Sequence, residues 1–238
     1  MGILDKVKYK VGKYRLHGYK RSLVTTEPHM IHLFGSATGG YGSYALDVAD
    51  LSEKSTVFSF GVGEDLSFES ALLTKYPGIT VNSFDPTPKS IRYVESHPIK
   101  GLEFMPIGIS DRDEEKTFYL PVNQEYVSGS AEHFQKKHGV IQNQPIQVPM
   151  LSLDSVMKKT QVSVIDVLKM DVEGSEFKVL EDIFRKDIYP KQICVEFHER
   201  YFDKPKEKMK SAVDLLTQNH YSCIYVSPSD EEFTFFRN

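Results

Sequence analysis

Acidic and imidazole side chains directly follow two apolar runs in the C-terminal half of the chain. The run VLKM is followed by Asp171 and Glu173, and the run ICVEF is followed by His198. A carboxylate or an imidazole at the end of a buried strand can take the proton of a substrate hydroxyl, and imidazole titrates near neutral pH. We therefore expect these three residues to be catalytic. His198 is the first choice as general base, and the two acids either compete for that role or orient the histidine.

The same strand ends also have the composition of a divalent-cation site. Carboxylates together with an imidazole suit magnesium or manganese, and the residues concerned are Asp171, Glu173, Glu196 and His198. Contacts to a base, a cofactor or a substrate explain strand-end acids equally well, so we assign no metal ligand from the sequence.

A glycine turn follows an earlier apolar run in the stretch VFSFGVGEDLSF. The turn contains Gly61, Val62 and Gly63, and the acids Glu64 and Asp65 come directly after it. A dinucleotide fingerprint needs a third glycine and a helix start that accepts a pyrophosphate, whereas here the third position is leucine and the two carboxylates would repel phosphates. The pattern favours a cationic nucleoside ligand. S-adenosylmethionine, with an α-ammonium group, a sulfonium and no phosphate, has that character.

Two further strand ends complete this expected cofactor site. Asp85 lies 24 positions after Gly61 at the end of the next strand, where its carboxylate can accept hydrogen bonds from both ribose hydroxyls. Ser110 and Asp111 end the third strand and can hold the adenine edge. Each residue also has a purely structural alternative, such as a turn before Pro86. Their joint position on adjacent strand ends favours the cofactor site.

Short β-branched or aromatic runs alternate with helix-like runs from residue 55 onward. We predict strands at 55–61, 79–85, 102–110, 165–171 and 192–198, and helices at 68–78, 88–97, 174–184 and 205–219. This alternation is typical of an α/β fold, with an open, mostly parallel sheet covered by helices on both faces and ligands at the carboxyl ends of its strands. The last two runs, SCIYVS and EFTFFR, have no helix between them, so we expect a C-terminal antiparallel hairpin.

The chain length favours one sizeable α/β domain. We expect an N-terminal basic helical segment at 1–50 that packs on a Rossmann-like domain at 51–238, with a polar insertion at about 121–147. The first 21 residues carry seven Lys or Arg against one acid. They form either a terminal helix packed on the domain or a surface for an anionic membrane or a partner. The insertion is either a lid over the acceptor or a segment without fixed structure, and Tyr126 or Tyr41 would suit stacking against a sugar ring.

Composition limits the partners and the compartment. The formal charge of −4, from 29 basic and 33 acidic side chains, gives no footprint for nucleic acid, so we expect a small-molecule or glycan acceptor. No apolar run approaches the roughly 18 residues of a membrane span. Cys194 and Cys223 lie in apolar runs, and no apolar secretion segment precedes the domain. We therefore expect two reduced, buried thiols in a cytoplasmic protein.

These motifs resemble the FkbM-type methyltransferases, which are S-adenosylmethionine-dependent enzymes of the class I Rossmann-like fold. The segments that carry the resemblance are FSFGVGEDLSFE, VNSFDPTPKS, MPIGISD, SGSA, PMLSLDSV, VLKMDVEGSEFKVL and CVEFH, in the family's order. KMDVEGSEFKVL is the most specific of them. The resemblance implies O-methylation, often of a sugar hydroxyl in a surface glycan or a secondary metabolite, and it says little about the acceptor.

The matching motifs also imply particular cofactor contacts. The resemblance places such contacts at Gly61, Gly63, Asp85 and Ser110, with Asp171 facing the methionine end of the cofactor. An YGSY segment that begins at Tyr41 looks like the family's approach to the cofactor. Two other functions stay open. One is methylation of a nitrogen acceptor, whose N-P-P-[YF] motif the sequence lacks, and the other is a module that binds the cofactor without consuming it.

Overall fold

The computed structural model describes residues 16–27, 29–35, 43–121 and 142–238. These ranges contain twelve strands, five helices and a short helical segment at residues 16–21. The strands are β1 (Ile31–Phe34), β2 (Tyr44–Asp47), β3 (Thr56–Phe60), β4 (Thr80–Phe84), β5 (Leu102–Met105), β6 (Gly108–Ile109), β7 (Glu114–Pro121), β8 (Gln142–Leu151), β9 (Val167–Met170), β10 (Gln192–Glu196), β11 (Tyr221–Val226) and β12 (Glu232–Arg237). The helices are α1 (Ser67–Lys75), α2 (Pro88–Ser96), α3 (Leu153–Thr160), α4 (Glu176–Arg185) and α5 (Pro205–Gln218), and a 3₁₀ turn covers Glu199–Tyr201.

A seven-stranded sheet with the order β11-β12-β10-β9-β3-β4-β5 forms the centre of the fold. Its strands β3, β4, β5, β9 and β10 run parallel, and β12 is antiparallel to both β10 and β11. The predicted mostly parallel sheet and the predicted C-terminal antiparallel hairpin are therefore confirmed. The chain builds outward from β3 in one direction and from β9 in the other, so the strand order reverses between these two strands. A ligand cleft is expected at their carboxyl ends.

Helices cover both faces of this sheet. Successive residues of a strand point to opposite faces, and accordingly Val57 packs in one hydrophobic cluster while Phe58 and Phe60 pack in another. The cluster around Phe58 is covered by α3, α4 and α5. The opposite cluster is covered by α1 and by the β1–β2 pair. In α5 the buried residues are Met209, Ala212, Val213 and Leu216, which is the spacing of a helix with one apolar stripe.

The strand predicted at 102–110 is divided into two, which is a correction. Leu102–Met105 joins the central sheet as β5, whereas Gly108–Ile109 pairs in parallel with β8 in a separate three-stranded sheet. Pro106 lies at the break, and proline interrupts a ladder because it has no N–H to donate. The separate sheet also contains β7, which pairs antiparallel with β8. Most of the predicted polar insertion, including Tyr126, lies outside the described residues.

The described N-terminal residues pack on the core. Residues 16–21 are helical, and β1 pairs antiparallel with β2. The ammonium of Lys20 donates to Glu199 Oε1 and to the carbonyl of Asp230, both at 2.7 Å, and Arg21 donates to the carbonyl of Val226 at 2.9 Å. This end of the basic segment is therefore attached to the domain. Residues 1–15 lie outside the described part, and the predicted division at residue 50 stays a prediction.

Both cysteines are buried. Cys194 and Cys223 are free thiols, as predicted. In the part of the chain that the structure describes, no helix combines the length and the apolarity that crossing a membrane requires.

Candidate active site

A cleft of about 260 Å³ opens at the carboxyl ends of β3, β4 and β9, where the strand order reverses. The structure brings most of the predicted site residues to its wall, namely Gly61, Val62, Gly63, Glu64, Asp65, Asp85, Asp171 and Glu173. Ser110 is buried and does not line the cleft, although the preceding residues Gly108 and Ile109 do. Tyr41 lies outside the described residues, so its predicted contact stays a prediction, as does that of Ser110.

The first glycine of the turn has no room for a side chain. Gly61 has a φ of +79°, and a Cβ atom built on it would lie 1.7 Å from the carbonyl oxygen of Asp171. Only glycine adopts this conformation readily and allows such a close approach. The approach brings the turn after β3 against the segment after β9, so Gly61 determines the spacing between the two halves of the cleft.

Asp85 fixes the second half of the turn. Its Oδ2 accepts a hydrogen bond from the backbone N–H of Gly63 at 3.0 Å. Its Oδ1 accepts from the N–H of Thr87 at 2.9 Å and from the Thr87 hydroxyl at 2.7 Å. A carboxylate offers about four acceptor positions, so these bonds leave about one for a ligand. Asp85 therefore both holds the turn and faces the cleft. To accept hydrogen bonds from both ribose hydroxyls, its carboxylate would have to use one acceptor position for two donors.

The two acids after the turn also have structural partners. Glu64 Oε2 forms an ion pair with the ammonium of Lys89 at 2.7 Å. Asp65 Oδ1 accepts from the N–H of Ser67 at 2.8 Å at the start of α1, where a carboxylate is favourable to the helix dipole. Both side chains line the cleft, but the pairing with Lys89 reduces the negative charge that Glu64 offers to a ligand.

Two buried charged residues of the cleft were not predicted. Lys169 projects from β9, and its ammonium donates to the carbonyl of Gly61 at 2.7 Å. This hydrogen bond holds the turn against β9. Glu69 on α1 accepts from the hydroxyl of Ser59 at 2.5 Å, and its burial raises its pKa although Lys169 opposes this. The sequence could have indicated Lys169, because it is a charged residue inside an otherwise apolar run, between Leu168 and Met170.

The wall of the cleft fits a cationic nucleoside. Its acids are Glu64, Asp65, Glu69, Asp85, Asp171 and Glu173, and its cation is Lys169. A pyrophosphate would be repelled by this excess of negative charge, and a sulfonium or an ammonium group would be attracted. Moreover, the buried Oε2 atom of Glu69 has no hydrogen-bond partner among the described residues. An ammonium donor would satisfy it, so the residues fit S-adenosylmethionine.

Behind this wall, four carboxylates surround one imidazole. His198 has no exposed surface, and its Nε2 lies 3.3 Å from Glu196 Oε1 and 3.4 Å from Glu173 Oε2. The same nitrogen is 3.7 Å from Asp171 Oδ1, and Nδ1 is 3.5 Å from Glu176 Oε1. Because Asp171 and Glu173 line the cleft and His198 does not, the imidazole lies beneath the two acids with which it was predicted to act.

The crowding of these acids around the imidazole raises the pKa values of His198 and Glu196. Burial alone lowers the pKa of His198, but the carboxylates of Glu176, Glu173 and Asp171 outweigh burial and raise the pKa to about 10. Burial, followed by the charge of Asp171, raises the pKa of Glu196 to about 8. The imidazole is therefore protonated at neutral pH when only these side chains surround it.

Glu173 and Glu176 hold the segment between β9 and α4 in place. Glu173 has a φ of +50°, a conformation that non-glycine residues adopt rarely, and Tyr201 donates to its Oε2 at 2.6 Å. Glu176 Oε2 accepts from the N–H of Gly174 at 2.9 Å, and its Oε1 accepts from the N–H of His198 at 2.7 Å. The side chain of Glu176 is completely buried.

This strand order and the acidic cleft at its reversal fit the S-adenosylmethionine-dependent methyltransferases with a Rossmann-like fold. The chain belongs to the FkbM methyltransferase family, since the family profile described as Methyltransferase FkbM domain matches residues 57–223. The predicted family and fold class are confirmed, and membership of this family supports the predicted enzyme class and cofactor. No curated protein matches the sequence significantly.

Solved structures with the same fold are distant in sequence. The crystal structure of a methyltransferase FkbM from Methylobacillus flagellatus KT has 12% identity to this chain and a TM-score of 0.50, and the match covers 79% of this chain and 45% of that one. The chain thus spans less than half of that relative's length. A fibrillarin from Aeropyrum pernix, in complex with natively bound S-adenosyl-L-methionine, has 13% identity and a TM-score of 0.42, with coverage of 79% and 68%.

Proposed function

We propose that this chain methylates a hydroxyl group of a sugar or a similar polyhydroxylated acceptor, with S-adenosylmethionine as the methyl donor. The observation that carries the proposal is that two carboxylates, Asp171 and Glu173, line the same cleft as the glycine turn and Asp85. When bound, the cofactor supplies a methyl group on a sulfonium, which is activated for in-line displacement by the acceptor oxygen.

The residues of the turn hold the cofactor in this proposal. Gly61 and Gly63 give the ligand access to the backbone, and Asp85 contributes its remaining acceptor position. Glu69 presents the buried Oε2 atom that has no partner among the described residues, and we assign it to the ammonium group. Asp171, at the end of the neighbouring strand β9, faces the methionine end.

Glu173 is the proposed proton acceptor. An acceptor hydroxyl must lose its proton as the new oxygen–carbon bond forms, and a positioned carboxylate can take it. Glu173 lines the cleft, and the Tyr201 hydroxyl donates to its Oε2 at 2.6 Å. His198 has no exposed surface and does not line the cleft, so it is not the proton acceptor in this proposal.

The charge of the cleft supports an uncharged acceptor. Lys169 is the cation among the described lining residues, and it is bonded to the carbonyl of Gly61. A phosphorylated or nucleic-acid acceptor would therefore meet carboxylates without a cation to bind its phosphates. A neutral hydroxyl-bearing acceptor meets no such repulsion. This argument supports a sugar or a secondary metabolite over nucleic acid.

The two free thiols support a cytoplasmic location, which we also propose. Cys194 and Cys223 are buried and unpaired, as expected in a reducing compartment. Recovery of the protein from the soluble cytoplasmic fraction of the source cells would agree with this location, and recovery from the secreted fraction would contradict it.

A methyl-transfer assay tests the function. A panel of free sugars, glycosides and amines is incubated with the chain and the cofactor, and the release of S-adenosylhomocysteine is measured. We expect turnover with a hydroxyl acceptor, and a 10²- to 10⁴-fold lower kcat for Glu173→Gln because a general base is lost. Glu181→Gln, on the exposed side of α4, is the matched control and should retain full activity. Turnover with amines alone, or an unchanged kcat for Glu173→Gln, would contradict the proposal.

A further inference from the structure

We propose that Asp171, Glu196 and His198 form a binding site for one divalent cation of the manganese and magnesium class. This site goes beyond the proposed methyl transfer and does not depend on it. The sequence alone left a cation as one of several explanations for these acids, and the distances in the structure now favour it.

The sheet brings the three ligands together. β9 and β10 are parallel neighbours, and their register pairs Met170 with Val195. The next residues along each strand direction, Asp171 and Glu196, therefore come to lie side by side, and His198 follows two positions later. One ligand atom from each of the three residues lies within 4.8 Å of the other two.

Two separations between these atoms are close to those of ligands to a common ion. His198 Nε2 is 3.3 Å from Glu196 Oε1 and 3.7 Å from Asp171 Oδ1. Ligand atoms about 2.1 Å from one metal ion, at octahedral or tetrahedral angles, are separated by about 3.0–3.4 Å. The ligand oxygens of Asp171 and Glu196 lie within 4.8 Å of each other, and the two carboxylates would move closer together on binding one ion.

The buried groups have charged neighbours but lack hydrogen bonds to them. Neither Glu196 nor His198 has any exposed surface. In the described part of the chain, no hydrogen-bond partner is found for Glu196 Oε2 or for either ring nitrogen of His198. Buried polar atoms without partners are rare in folded proteins and call for an explanation such as a bound ion. A cation coordinated by Nε2 and by the Glu196 carboxylate supplies one.

The charge balance supports the same conclusion. The acids around the imidazole are Asp171, Glu173, Glu176 and Glu196. Arg200 Nη2 lies 3.3 Å from Glu196 Oε1, and Lys169 is bonded to backbone carbonyls of the turn. Four carboxyl groups are thus crowded around one imidazole, and a divalent cation would favour their ionised forms.

The three ligands favour a particular class of metal ion, and the ion can reach them through the cleft. Two carboxylates and one imidazole favour Mn²⁺ or Mg²⁺ over metals that prefer thiolates, and the imidazole suits Mn²⁺ better than Ca²⁺. The side chain of Asp171 is 20% exposed and lines the cleft. An ion can therefore enter from the cleft and would lie at its base.

Binding of Mn²⁺ to the full chain tests the site without cofactor or acceptor. Electron paramagnetic resonance of free Mn²⁺ gives the bound fraction. We expect one Mn²⁺ per chain that excess Mg²⁺ displaces, and at least tenfold weaker binding for Asp171→Asn and for Glu196→Gln. The matched control is Glu232→Gln, because Glu232 is equally buried and pairs with Glu196 across β12 and β10. It should bind Mn²⁺ within threefold of the unchanged chain.

Several results would overturn the proposal. They are absence of Mn²⁺ binding by the folded chain, unchanged binding in Asp171→Asn, or an equal loss in Glu232→Gln. Glu196→Gln is at greater risk of failing to fold because the residue is completely buried. Asp171→Asn, at the partly exposed cleft wall, keeps the test decisive, and circular dichroism verifies that each variant is folded. Since methyl transfer is not measured, the outcome is independent of the proposed function.

Discussion

Replacing Gly61 with alanine tests how the turn after β3 is fitted against β9. The change adds one methyl group at a backbone φ of +79°, 1.7 Å from the carbonyl oxygen of Asp171. Ordinary contact distances are about 3.5–4.0 Å, so the turn and the segment after β9 must move apart by about 2 Å. No side-chain rotation can relieve this overlap, because the obstacle is backbone.

The expected cost follows from the contacts that such a movement breaks. An alanine in the left-handed region costs about 1–2 kcal/mol. The separation also breaks the hydrogen bonds from Asp171 N to the Phe60 carbonyl at 3.1 Å and from Gly61 N to the Phe84 carbonyl at 3.0 Å, each worth about 0.5–1.5 kcal/mol net. We therefore expect Gly61→Ala to lose about 2–5 kcal/mol of unfolding free energy. The displaced turn should no longer bind S-adenosylhomocysteine measurably.

Two other glycines separate the contributions. Gly101 has a φ of +88°, but its added Cβ would meet only the flexible end of Leu73 at 3.3 Å. Gly101→Ala thus measures the backbone cost alone, about 1–2 kcal/mol. Gly18 has no atom within 4 Å of an added Cβ, so Gly18→Ala should leave stability unchanged or raise it slightly.

Urea denaturation of the three variants and calorimetry with S-adenosylhomocysteine provide the measurements. We expect Gly61→Ala to lose about 1–3 kcal/mol more unfolding free energy than Gly101→Ala, and Gly101→Ala and Gly18→Ala to bind the ligand normally. Equal losses in Gly61→Ala and Gly101→Ala, together with unchanged ligand binding in Gly61→Ala, would refute it.

Three further changes test other parts of the structure. Lys169→Met removes the ammonium that donates to the Gly61 carbonyl. Because a hydrogen bond from a charged group is worth about 1.5–3 kcal/mol, calorimetry should show S-adenosylhomocysteine binding weakened about 10- to 150-fold. An unchanged affinity would argue against this role of Lys169. Leu180→Ala empties a completely buried position on α4 and should cost about 2–5 kcal/mol in urea denaturation; a loss below 1 kcal/mol would contradict the packing described. The ion pair with Lys186 lowers the pKa of Asp154. The ion pair therefore stabilises the fold above the ordinary carboxyl pKa of 3.8, and this stabilisation is lost as the pH falls below 3.8. The chain should therefore be more stable than Asp154→Asn at pH 7, and urea denaturation should show the difference shrink below about pH 4; a difference independent of pH would contradict this assignment.

The parallel sheet was predictable because its strands are short apolar runs separated by helices with clear ends. Pro88 in the first turn of α2 and the apolar spacing of α5 are local signals that tertiary packing does not override. The division of the third strand at Pro106 has an equally local cause, since a proline cannot donate to the ladder. The β1–β2 pair has no such signal, because its strands are only four residues long and buried and exposed residues do not alternate along them.

The candidate site was predictable only where it coincides with strand ends. Asp85 and Asp171 follow apolar strands, and the topology of a parallel sheet brings such positions together. Glu69 and Glu176 lie on helices, where a lone acid is usually solvated, and only the packed structure shows that both are buried. The depth of His198 was likewise hidden, since a residue just after a strand can point either to the cleft or beneath it.

Calorimetry with S-adenosylhomocysteine on the unchanged chain, Asp85→Ala and Asp214→Ala determines whether the cleft holds the cofactor. We expect one ligand per chain, at least tenfold weaker binding for Asp85→Ala because a charged hydrogen bond is lost, and normal binding for Asp214→Ala, which lies on the exposed side of α5. Thermal melts establish that each variant is folded. A folded chain that does not bind the ligand, or an Asp85→Ala variant that binds it as tightly as the unchanged chain, would contradict the claim that this cleft holds S-adenosylmethionine.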